Sequence, residues 1–321
     1  MSIPSAAFPG LTKPVSRIFF GTAIMPMILG EDVRDLLDLA YASGINAFDC
    51  ARGYGDAEIL LGKWMQERRN RERVVILTKC GNVDPDGTVC VNREVIEREL
   101  EESLERLQTN YIDIYLLHRD DPATPVSEFI ETLNEAKCAG KIRVYGASNW
   151  SDERVREANS YAEAHGLAGF SAVSPNYGLA RQIADPWGGG CITFSGAENA
   201  GSRAWYAQTG LPVIAYSSLG RGFFSGKFKS YDYEAAKSVL DHAAQKGYLS
   251  EDNMERLRRA EIPAEKKGCT VSEIAMRYRF SGDMNVFAVV STTDPERMRQ
   301  NVSISLRPLT KEEARWLDLT E

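Results

Sequence analysis

RVVILTK (73–79), NREVIERELEESLERL (92–107) and YIDIYLLH (111–118) follow one another closely, and their order decides the fold. The outer two are apolar runs without alternation, as in strands buried on both faces. The middle stretch spaces its apolar residues three and four apart, as one face of a helix requires. A helix between two such strands returns the chain so that they lie parallel. The pattern recurs in both directions. RIFF (17–20), INAFD (45–49), IRVYGAS (142–148), FSAVS (170–174), PVIAY (212–216) and VFAVV (286–290) bring the strands to eight. VRDLLDLAYASG (33–44), EILLGKWMQERR (58–69), VSEFIETLNEAKCAG (126–140) and SDERVREANSYAEAHG (151–166) are further helices, the last with Ser151 and Asp152 where an N-cap belongs. Eight strands in 321 residues predict an α/β fold, a single (β/α)8 TIM barrel over residues 1–321, with an open doubly wound sheet as the alternative. The least regular stretch, 181–210, holds three consecutive glycines and two tryptophans, and is expected to be a long loop between the sixth and seventh strands that forms a lid or substrate wall.

A net charge of −7 argues against nucleic acid or an anionic membrane as the partner, since both select basic surfaces. No apolar run reaches the length of a membrane span, and MSIPSAAFPGLTKP lacks the marks of a signal peptide. The six cysteines form no CxxC pair, so neither zinc nor a disulfide framework is expected. The expectation is a soluble cytoplasmic protein with a small-molecule partner and no metal; its oligomeric state is not readable.

In a barrel the chemistry gathers at the C-terminal ends of the strands. Here one strand ends in Asp49 with Tyr54 on the glycine-flanked turn after it, the next ends in Lys79, and the third in His118. These four converge on one pocket in the predicted fold. Asp49 would satisfy Lys79 as an ion pair. Lys79 would favour the phenolate of Tyr54, lowering its pKa from about 10 and making it a proton donor near neutrality.

FDCARGYG (48–55) followed by Glu58 and Leu61-Gly62, then LTK (77–79), LLHRDDP (116–122) and GKIRVYGASNW (140–150), in that order, resemble the aldo-keto reductase family over nearly the whole chain. The resemblance implies reduction of an aldehyde or ketone by a nicotinamide cofactor at the mouth of the barrel. It assigns Tyr54 as general acid, Asp49 and Lys79 as its tuners, and His118 as the residue that orients the carbonyl or shares the proton relay. Ser148 and Asn149 match the pair that holds the nicotinamide carboxamide, Tyr216 the aromatic that stacks on it, and Ser217, Leu219 and Gly220 the pyrophosphate cradle. Gly21, Thr22 and Asp49 are further cofactor contacts. Arg297 and Asn301, in VVSTTDPERMRQN (289–301), match a segment for the adenosine 2′-phosphate, so NADPH is expected over NADH, with NADH possible. Two positions depart from the pattern. Ser291 stands where many relatives have lysine, and Ser174 where many have glutamine, with Asn176 nearby as a substitute.

Competing phosphate motifs fail. In LGRGFFSGK (219–227) three residues rather than four separate Gly222 from Gly226, and Phe228 follows the lysine where a P-loop needs serine or threonine. No GxGxxG opens a first helix, which removes a Rossmann domain. Met25, Tyr54, His118, Trp150 and Trp187 are the expected substrate walls, an aromatic lining that accepts many carbonyl compounds, including sugars. Two other readings stay open: a Schiff-base aldolase with Lys79 as nucleophile, and a cofactor-sensing subunit of the same fold that turns over slowly.

Overall fold

The computed structural model describes residues 4–84, 86–304 and 307–320. An antiparallel hairpin, β1 (Ser5–Ala6) and β2 (Val15–Ser16), precedes eight parallel strands that close on themselves. These are β3 (Ile18–Gly21), β4 (Ala47–Asp49), β5 (Val75–Cys80), β6 (Ile112–Leu117), β7 (Ile142–Ser148), β8 (Val173–Ser174), β9 (Val213–Ala215) and β10 (Val286–Val290). Each pairs with the next in sequence, and β10 returns to β3 through Ala288 opposite Ile18. The sheet is a closed barrel, and the open alternative does not apply.

Alternation along the strands explains both the core and the site. In a strand, side chains two apart share a face. Phe19, Ala47, Val75, Leu77, Ile114, Leu116, Val144, Ala172, Ile214, Phe287 and Val289 form one cluster inside the barrel, and Phe8 from the hairpin packs into it against Phe287 at a ring distance of 5.4 Å. The residues between them face outward and join a second, larger cluster with the helices. Helix Arg93–Arg106 is typical of that outer shell. Asn92 caps it by accepting from the Val95 amide, and it buries Ile96, Leu100 and Leu104 at helical spacing. Continuing the inner face toward the C-terminal ends brings Gly21, Asp49, Lys79, His118, Ser148, Ser174, Tyr216 and Ser291, one from or directly after each strand. All eight line a single cavity.

The region expected as a loop over 181–210 is irregular only in its first part. A 3-10 turn at Ala197–Asn199 leads into a helix at Ala200–Thr209, whose aromatic Tyr206 is buried against Phe194 at 4.7 Å between rings. Of the two tryptophans, Trp205 lies in this helix, 4.6 Å between rings from Tyr206, and Trp187 comes before it. Among the described residues no helix is long and apolar enough to cross a membrane.

Candidate active site

The cavity at the C-terminal mouth has a volume of about 580 Å³. At its base lies a buried ion pair: Lys79 Nζ is 2.7 Å from Asp49 Oδ1 and donates a second bond to the Cys50 carbonyl at 2.8 Å. Lys79 is 3% and Asp49 5% exposed. Burial works against the Lys79 charge, but the Asp49 carboxylate outweighs it and holds the lysine pKa above its ordinary value. Lys79 is therefore a cation, already satisfied, and not a free amine.

Tyr54 is carried in by the turn after β4. Gly55 has φ +54°, and a Cβ there would stand 2.2 Å from the Ile28 carbonyl oxygen, so only glycine permits this approach. The turn sets the Tyr54 ring 5.0 Å from Lys79 Nζ and 5.6 Å, edge-on, from the His118 ring. Here the structure corrects the expected acidity. Burial is the largest influence on the phenol and raises its pKa; Lys79 pulls it down without prevailing. Tyr54 thus keeps its proton well into the alkaline range. His118 moves the other way: burial, then the charges of Lys79 and Arg119, hold it well below the ordinary imidazole value, so the ring is neutral. Its Nδ1 is buried without a partner, so a ligand would meet the ring through Nε2.

Around this group the remaining strand ends form a polar rim. Asn149, in the left-handed region at φ 60°, donates to the His118 carbonyl (3.2 Å) and to Ser148 Oγ (3.1 Å), and accepts from the Tyr216 hydroxyl (2.6 Å) and the Ile192 amide (3.3 Å). Ser148 Oγ donates to the Ser174 carbonyl at 2.8 Å. Ser217, Ser218, Leu219, Arg221 and Gly222 line the next part of the wall, followed by Ser291, Arg297 and Asn301. A second cavity of about 730 Å³ adjoins the first and shares Leu219, Ser225, Ser291, Arg297 and Asn301 with it. Arg297 is half exposed, and Asp294 Oδ2 lies 3.7 Å from its Nε.

Several expected site residues stand elsewhere. Thr22 is buried and turns its hydroxyl to the Asp49 carbonyl at 2.9 Å, away from the cavity. Gly220 is not among the lining residues, and a Cβ there would stand 2.6 Å from Ala180. Met25 is 61% exposed on a short helix, Met25–Ile28, outside the cavity, where Ala23 lines instead. Trp150 is 2% exposed and packs between Phe129 (5.3 Å) and Phe170 (5.2 Å) in the outer shell. Asn149's left-handed backbone ends the alternation that would have turned Trp150 inward. Asn176 is engaged inside the fold by Tyr248 and Thr193, while Ser174 reaches the cavity. Trp187 lines the cavity and meets Tyr216 edge-on at 5.9 Å.

Sequence reasoning passed over Asn82, Val83, Arg119 and Arg221, which also line the cavity. Arg119 follows directly on His118, but a charged residue after a strand carries no signal that separates a cavity wall from a solvated loop.

The family model described as Aldo/keto reductase family matches residues 17–319. Among curated relatives, aldo-keto reductase str7 of Strobilurus tenacellus is 27% identical over 283 residues, covering 87% of this chain and 77% of that protein. Norsolorinic acid reductase B of Dothistroma septosporum is 26% identical over 293 residues, covering 85% and 68%. Among solved structures, the glycerol dehydrogenase AKR11B4 of Gluconobacter oxydans superposes with a TM-score of 0.78 at 24% identity over 99% of this chain and 95% of that one. The thermostable aldo-keto reductase Tm1743 gives 0.72 at 23% identity over 99% and 100%. With eight parallel strands closed into a barrel and a family match running from the first of them to the last helix, this chain belongs to the aldo/keto reductase family, oxidoreductases that act on carbonyl and alcohol groups.

Proposed function

We propose that the chain reduces an aldehyde or ketone to an alcohol with Tyr54 as general acid and NADPH as the preferred cofactor. The observation that carries this reading is the setting of Tyr54 on the cavity wall, between the Lys79 ammonium and the neutral ring of His118. A bound nicotinamide dinucleotide would supply the hydride, which no side chain can. The two adjoining cavities, which meet at Arg297 and Asn301, suit an elongated ligand with a charged group at their junction. Ser148, Asn149, Ser174 and Tyr216 would hold its nicotinamide end, Ser217 and Leu219 its pyrophosphate, and Arg297 and Asn301 its 2′-phosphate. Asn149 spends both ends of its amide on internal bonds, so a bound carboxamide would replace the Ser148 or Ile192 partner rather than fill a vacant site.

The chain's own work is proton transfer and orientation. Tyr54 gives its hydroxyl proton to the carbonyl oxygen as negative charge develops there, and Lys79 stabilises the phenolate that remains. His118, neutral, hydrogen-bonds the same oxygen without competing as an acid. Asp49 keeps Lys79 charged and in place. The same ion pair weighs against an aldolase, whose lysine must be a free amine to attack.

The test is Tyr54→Phe, assayed for NADPH oxidation over a panel of aldehydes. A fall of about 10²–10⁴-fold in kcat with cofactor affinity nearly kept is expected. Activity within a few-fold of the parent would remove Tyr54 from the acid role. In the parent, reduction should hold level through neutral pH and decline only as pH rises through the raised Tyr54 pKa, because the protonated phenol is the working form.

A further inference from the structure

Beside His118 the cavity wall holds a cation with no counter-charge. Arg119 is 6% exposed and lines the cavity. Among the described residues its only hydrogen bond is a long one, from Nη1 to the His118 carbonyl at 3.4 Å, and its buried Nε meets no partner among them. Among the described residues no carboxylate lies within ion-pair distance of it. Carboxylates of this region are already engaged, Asp120, next in sequence, by Arg154 at 3.3 Å. Asp49 is bound to Lys79. Asp185, on the loop above, receives the backbone N–H groups of Trp187, Gly188, Gly190 and Cys191 at 2.9–3.1 Å. That loop presses on the arginine: Gly189, at φ +74°, passes so close that a Cβ would stand 3.1 Å from Arg119 Nε and 2.3 Å from Val83.

A buried guanidinium nitrogen without a partner, as Nε is here, is costly, and the cost persists in folded proteins where a ligand or function offsets it. With Lys79 and Asp49 cancelling and His118 neutral, Arg119 leaves this end of the cavity with one net positive charge. A second hydrogen-bond donor, Nη2, has no partner among the described residues. The planar fork of arginine matches a carboxylate in particular.

Resting on the reductase reading above, the geometry points to a carbonyl substrate that also bears a carboxylate, held by Arg119 while its aldehyde or ketone meets Tyr54. In the step, the carbonyl carbon gains the hydride of the nicotinamide cofactor and its oxygen gains the Tyr54 proton. The carboxylate is unchanged and only fixes the orientation.

Matched pairs decide it: glyoxylate, succinic semialdehyde and 4-carboxybenzaldehyde, each against its neutral primary amide. These place the charge at three distances from the carbonyl. A charge-assisted contact gives the acid of at least one pair a kcat/KM about 10- to 100-fold above that of its amide. Arg119→Gln should bring that ratio to within about threefold of unity, and Arg119→Lys should restore part of it. Should Arg119→Gln not fold, the parent's own ratios still decide, since an acid no better than its amide in all three pairs overturns the inference. Loss of NADPH affinity in Arg119→Gln with the ratio unchanged also overturns it, assigning the arginine to the cofactor instead. Calorimetric binding of succinate against succinamide to the protein with NADP+ separates this inference from the reductase reading. Arg119-dependent preference for succinate without any turnover would sink the reductase reading alone, whereas turnover without such preference would sink this one.

Discussion

Replacing Lys79 by methionine should damage stability as well as catalysis, and the damage should depend on pH in one direction. The substitution keeps the bulk of the stem but leaves the Asp49 carboxylate alone in a site where the two side chains are 3% and 7% exposed. At that depth solvent screens little, and removing one partner of a buried pair costs about 3–5 kcal/mol. The Cys50 carbonyl also loses its donor, which adds about 1–3 kcal/mol if nothing replaces it. A second substitution, Asp49→Asn, should recover the charge part and not the carbonyl part. In the single variant Asp49 has a folded pKa above its unfolded value of about 3.9. Its neutral form is then favoured in the fold, so the single and double variants should be equally stable below about pH 4 and diverge as pH rises through the folded pKa. Urea unfolding followed by circular dichroism at pH 4 and pH 7 measures this gap. A loss under about 1 kcal/mol at pH 7, or a gap that does not change with pH, would refute the claim that the pair is buried and mutually dependent.

Arg297→Ala should weaken NADPH binding and barely alter NADH binding, as read by fluorescence titration. Because Arg297 is half exposed and shared with Asp294, the loss should be near the lower end for a charge-assisted contact, about tenfold, and equal losses for both cofactors would mean the residue does not touch the 2′-phosphate. Trp150→Ala should cost about 3–5 kcal/mol of stability by emptying the space between Phe129 and Phe170. Its KM for any carbonyl substrate should stay within a few-fold of the parent in the folded fraction, and a large selective change in KM would return Trp150 to the substrate wall.

What the sequence made legible was whatever lies on the strands. Asp49, Lys79 and His118 each end a run of buried apolar residues, and two-residue alternation places them above Ala47, Leu77 and Leu116 inside the barrel. Ser148, Ser174 and Tyr216 follow the same rule. Where the strand stops, the rule stops. Trp150 was expected in the pocket, yet the left-handed Asn149 sends it outward. Met25 was expected there too, and the short helix that holds it lies outside the cavity. The Tyr54 pKa was misjudged because a neighbouring lysine can be read from sequence, whereas the depth of burial that outweighs it cannot. Arg119 escaped notice because its meaning is the lack of a partner, a property of the folded surroundings rather than of any motif.

Closure of the barrel sets a schedule for its synthesis. Ser291 Oγ donates to the Gly21 carbonyl across 270 positions of sequence; Ser291 follows the last strand of the ring and Gly21 ends the first. A ribosome adding 5–20 residues per second needs roughly 15–55 s to cover that distance. Throughout that interval β3 has one edge without its neighbour, and Phe19 lacks the Phe287 ring that it meets at 5.9 Å in the finished fold. An unpaired edge beside apolar side chains is a template for pairing with other chains. The nascent protein is therefore exposed to aggregation from the synthesis of β3 to that of β10, and slowing elongation between them would lengthen that exposure rather than help it fold.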